Sequence, residues 1–124
     1  MTLEEEIQAK GLTAPRITPA DIEENIASEH YFTAADGVTG QIWHEVAVND
    51  DEVILARDGL NKSLCLLTFC VLVLRNGFTV TGESACASPE NFNAATGRRV
   101  ARTHAVDKIW PLMGYELKTK LANG

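Results

Sequence analysis

The dipeptide Asn76-Gly77 stands between an apolar run, Leu64 to Leu74, and a shorter alternating segment, Phe78 to Ser84. Both residues tolerate the positive φ that tight hairpin turns require, so the flanking segments are expected to fold back on each other as antiparallel strands. The run LCLLTFCVLVL has no charge and is rich in β-branched and bulky side chains, which marks a strand apolar on both faces. It is too short to cross a bilayer as a helix. A two-residue turn at Asn76-Gly77 pairs Arg75 with Phe78, Val73 with Val80 and Val71 with Gly82. The opposite face then carries Leu74 with Thr79, Leu72 with Thr81 and Cys70 with Glu83.

A two-stranded ribbon, here about residues 64–84, is marginal alone and must be covered. The segment that follows supplies a cover. Ser88 before Pro89 reads as a helix cap with proline in the first turn, and Pro111 and Gly114 read as stops, so a helix is predicted over about residues 89–110. Within it Gly97, Ala101, Ala105 and Ile109 recur every fourth position. Such a stripe of mostly small side chains lets a helix backbone approach a sheet. It is expected to sit on the face of Phe69, Val71, Val73, Phe78 and Val80, with Gly82 opposite the small positions. Trp110 and Tyr115 are expected to anchor the core at the helix exit, and Tyr115 to Leu121 to form either a closing strand or a short helix.

Upstream, Thr18-Pro19 with Asp21 three residues after the cap starts a second helix, predicted over about 19–29 with Ile22 and Ile26 on one face. His30 to Ala34 fits a short strand or more helix. Residues 1–17 are expected to be a flexible segment whose acidic part, Thr2 to Lys10, has helical propensity up to Gly11. Residues 38–62 have the weakest periodicity and suggest a variable insertion. The fold class is therefore α+β in a single domain: an antiparallel hairpin, a long helix across it and an amino-terminal helix.

Seventeen acidic against eleven basic residues give a net charge of −6, which argues against a general nucleic-acid binder because phosphate contacts dominate that affinity. Three cysteines, Cys65, Cys70 and Cys86, with no signal peptide suit a reducing compartment. Cys65 and Cys70 point to opposite faces of a strand, so no metal-ligand spacing arises. Cys86 precedes a helix start, but His104 lies several turns along that helix, which leaves no thiol–imidazole pair within one chain. Neither a catalytic set nor a cofactor motif emerges, so a non-enzymatic protein without cofactor or metal is expected.

The stretch from Leu67 to Leu121 strings together an apolar strand, NGFTVTGES, SPENF, a GRR-containing helix and KIWPLMGY. In this it resembles a family of small tailed-phage proteins defined from enterobacterial podophages and widespread in prophages. The resemblance covers a little under half of the chain and matches the amino-terminal part more loosely. It implies a phage or prophage origin and action in the cytoplasm of an infected bacterium, and it brings no catalytic residues with it.

The residues themselves suggest a ligand site where hairpin meets helix. Free N–H groups at the start near Ser88, the hydroxyls of Ser84 and Ser88, and the cations Arg98, Arg99 and Arg102 suit phosphate. Thr79 and Thr81 suit a ribose, and Glu83 can accept from both donors of a guanine edge. The plainer reading has Ser88 as a cap and the arginines as solvated surface. Taken with the phage origin that the resemblance implies, this site gives as the expected function a counter-defence sponge that sequesters a nucleotide-type host immune signal. The alternatives are a protein-binding inhibitor of a host factor and, less favoured by the acidity, a nucleic-acid module. A strand apolar on both sides also predicts a homo-oligomer, and no membrane association is expected.

Overall fold

The computed structural model describes residues 2–11, 14–49 and 62–124. Helix α1 (Leu3–Ala9) lies in the segment expected to be flexible. Thr2 and Glu5 close it with a reciprocal capping box, Gly11 ends it at φ +67°, and Arg16 grips the Glu4 carboxylate with two hydrogen bonds of 2.8 and 2.6 Å. Helix α2 (Pro19–Glu24) starts as expected, with Thr18 and Asp21 bonded reciprocally, and it buries Ile22. It stops well short of Glu29. The hairpin turn holds its last residues: Arg75 N–H donates to Asn25 O at 2.9 Å, and Arg75 Nε donates to Glu24 O at 2.9 Å.

The chain then enters β1 (Ile26–Thr33), which pairs antiparallel with β2 (Leu67–Leu74), and β2 pairs antiparallel with β3 (Thr79–Ala85). Ile26 is thus a strand residue opposite Leu74, not part of a helical face, and a bulge at Ala27 separates it from Ser28 opposite Val73. Between β1 and β2, helix α3 (Ala34–Asn49) begins beside the Phe32 and Phe69 rings, whose centroids lie 5.6 Å apart. The expected insertion overlaps α3, and its part at 50–61 lies outside the described residues.

The hairpin register corrects the sequence expectation by one residue. Leu74 and Phe78 close the turn, Leu74 N–H donating to Phe78 O at 2.8 Å and Gly77 N–H to Leu74 O at 2.9 Å. The loop therefore has three residues, Arg75, Asn76 and Gly77, with Gly77 at φ +89°. A glycine in the left-handed region commonly closes three-residue hairpin loops, and the extra residue moves every pairing: Val73 faces Thr79, Leu72 faces Val80 and Cys70 faces Gly82. One sheet face carries Thr68, Cys70, Leu72, Leu74, Val80 and Gly82. The other carries Phe69, Val71, Val73, Thr79, Thr81 and Glu83.

Helix α4 (Ala94–Asn123) packs on the first of these faces, not on the Phe69, Val71 and Val73 face. Its stripe Gly97, Ala101, Ala105 and Ile109 is buried as expected. The fit at Gly82 is backbone to backbone: a Cβ there would lie 2.1 Å from Ala101 O and 2.4 Å from Ala105 N. The helix does not stop at Pro111. Proline costs it one N–H bond, yet Met113 beyond it still packs against the core, so the helix runs on through Tyr115 to Leu121. Thirty residues make a helix of about 45 Å over a sheet of about 26 Å, so its last turns overhang. Trp110 and Tyr115, expected as core anchors, lie off the buried stripe and are 37% and 79% exposed.

Candidate functional site

Between β3 and α4 the chain makes one 3₁₀ turn, Pro89–Asn91, before the long helix starts. Ser88 has extended backbone and makes no side-chain cap; its hydroxyl is engaged by the Glu90 carboxylate. The true cap of α4 is Asn93, whose Oδ1 accepts from Thr96 N–H at 2.9 Å. The expected helix start at Ser88 is therefore displaced, because Phe92 and Asn93 remain extended. The Cys86 thiol lies 3.1 Å from the Ser88 carbonyl, while His104 Nδ1 donates to Glu83 O at 2.7 Å, so each group is bonded to a backbone carbonyl and not to the other.

The expected ligand set is divided by the sheet. Thr79, Thr81 and Glu83 project from the face away from α4, beside Val73, Val71 and Phe69. Ser84 lies on the helix side opposite Thr68, half-buried. Arg98 and Arg99 are exposed in the second turn of α4, and the helix has no acidic residue in its first turn. Arg102 is committed elsewhere. Its guanidinium takes Glu23 in two hydrogen bonds, of 2.7 and 3.1 Å, and its Nε takes Glu29.

That arginine ties α2, β1 and α4 together. It holds the Glu23 carboxyl below its ordinary range, and the two carboxylates hold the Arg102 guanidinium more firmly protonated. Next to it, burial and then the neighbouring Cys70 and Glu29 push the Tyr31 phenol up to about 12. Burial likewise raises the Cys70 thiol. Glu23, Ser28, Glu29 and Arg102 line a shallow polar pocket of about 380 Å³ beside β1. Sequence reasoning missed this cluster because Arg102 stands 79 and 73 residues from its two partners.

A second groove, of about 410 Å³, runs along the edge of β3 beside α4, lined by Phe78 and the strand at Thr79–Thr81 on one side and by Lys108, Pro111 and Leu112 on the other. Its helical wall was hidden by ending the helix at Trp110. No group of His, Cys, Asp and Glu among the described residues could hold a metal ion, and no described helix is long and apolar enough to cross a membrane.

A small α+β protein, with one long helix across a three-stranded antiparallel sheet, is the class that the fold defines. Residues 17–121 match the phage protein family described as N4 Gp49/phage Sf6 gene 66, and the chain belongs to that family. No curated protein and no solved structure matches it.

Proposed function

We propose that this phage accessory protein works by binding rather than catalysis, capturing a nucleotide-type host signal as a homo-oligomer in the infected cell's cytoplasm. The observation that supports this is the state of Arg98 and Arg99. They are exposed, engage no carboxylate among the described residues, and follow a helix start free of acidic side chains. Such a start attracts phosphate through its free N–H groups and its dipole. Arg102, already held by two carboxylates, is not part of this site. Thr79, Thr81 and Glu83 lie across the sheet from the arginines, so they can contribute base or ribose contacts only from another copy.

The test is native mass spectrometry and thermal shift against a panel of cyclic and linear nucleotides. Stabilisation by one member, an oligomeric mass and at least tenfold weaker binding in Arg98→Glu/Arg99→Glu are the expected results. A monomer stabilised by no member would overturn the reading.

A further inference from the structure

We propose that the β3 edge is a peptide-binding groove, in which an extended segment of a partner protein adds a fourth strand to the sheet. The inference stands on residues other than Arg98 and Arg99 and does not depend on the nucleotide reading. It begins with the hairpin register. Phe78 O accepts from Leu74 N–H and Cys86 N–H donates to Leu66 O, so even-numbered residues of β3 bond to β2. The N–H and C=O of Thr79 and Thr81 therefore point outward, and among the described residues β3 is an edge strand. Glu83, the next outward residue, already has its carbonyl filled by His104. The open length is thus short, from Thr79 to Thr81.

A helical wall stands beside that open backbone. Lys108, Pro111 and Leu112 of α4 line the groove with Phe78, and its surface is mainly apolar. Phe78 and Leu112 are 55% and 41% exposed. An edge strand next to a helix is the geometry of strand addition: main-chain hydrogen bonds give affinity, and pockets for every second side chain give selectivity. Lys108, which forms no ion pair among the described residues, is the charge lining the groove. The occupant it fits is an extended segment with apolar side chains at alternate positions and a carboxylate toward Lys108.

A second copy fits less well. Pairing β3 with its symmetry mate would set the strands about 4.8 Å apart. The two α4 helices, each seated on its own β3 at Gly82, would then compete for space that packed helices fill at 8–10 Å between axes.

The experiment selects heptapeptides from a random display library on the immobilised full chain and then follows amide hydrogen exchange with the best peptide bound. Enriched sequences should alternate apolar residues and carry Asp or Glu. The Thr79 and Thr81 amides should slow on binding, and Leu112→Glu and Lys108→Glu should each weaken it at least tenfold while melting like the parent. Both side chains are exposed, so these variants fold. Selection of equal strength on Leu112→Glu, or protection elsewhere on the chain, would overturn the proposal. So would Thr79 and Thr81 amides already protected without peptide in a concentration-dependent dimer, which would assign the edge to a second copy.

Discussion

The two edges that the sheet has among the described residues are built in opposite ways. At β1 the bulge at Ala27 interrupts the ladder, Glu29 projects on the helix side, and Arg102 reaches over from α4 to clamp Glu29 and Glu23. Bulges and charges are the usual devices that stop an edge from recruiting another strand. At β3 neither device operates between Thr79 and Gly82, and the helix beside it offers proline and leucine instead of an ion pair. The same helix therefore guards one border of the sheet with polar chemistry and frames the other as a groove. Exposure alone would not separate the two; what the neighbouring side chains do with the open backbone separates them.

That contrast can be broken most severely at the seat of α4. Gly82→Ala forces a methyl into the backbone of Ala101 and Ala105, so the helix must lift from β3. A loss of about 3 kcal/mol or more is expected, seen as a melting temperature lower by roughly 10 °C or more. An unchanged melt would show that the helix does not rest there. The β1 side should yield less. Arg102→Met leaves Glu23 and Glu29 without their cation but near water, and about 1 kcal/mol is expected by urea titration.

The pH dependence sharpens the same comparison. Arg102 depresses the Glu23 carboxyl, so the stability it lends is present above the ordinary carboxylate range and is lost as pH falls through the depressed value. Unfolding measured from neutral pH downward should therefore show a shallower acid loss in Arg102→Met than in the parent. Tyr31 acts at the other end. Its phenol ionises at about 12 when folded, so stability should fall as pH rises from about 10 toward that value, and ultraviolet titration should detect the late phenolate. The smallest effect is expected at Gly114, where an added methyl meets nothing within 4 Å. Gly114→Ala should stabilise the helix by about 0.5–1 kcal/mol.

Much of the fold was legible because its signals were local. Small residues at every fourth position marked the seat of α4, and Gly82 was identified as their counterpart. The hairpin was legible too, but its register was not. Asn-Gly serves a two-residue turn and a three-residue turn with glycine last equally well. The longer loop sets Leu72 and Leu74 beside Val80 under the helix, where all three are buried. Ile22 and Ile26 matched helical spacing, yet Asn25 is tied to Arg75 and Ile26 turns into a strand opposite Leu74. Of the candidate site, Arg98 and Arg99 stand exposed, which suits a phosphate site and solvated surface alike. Arg102 could not be separated from them, since its carboxylate partners come from distant parts of the chain.

The overhang of α4 has a kinetic consequence. A single helix usually exchanges its amide hydrogens as a unit, fraying only at its ends. Here Gly97 to Ile109 lie on the sheet, Met113 and Leu117 are half-buried, and Lys118 to Asn123 are exposed. Deuterium should therefore enter the last two turns quickly and the Ala101–Ile109 stretch only when the whole domain opens, with Pro111, which carries no amide proton, near the boundary between the two regimes.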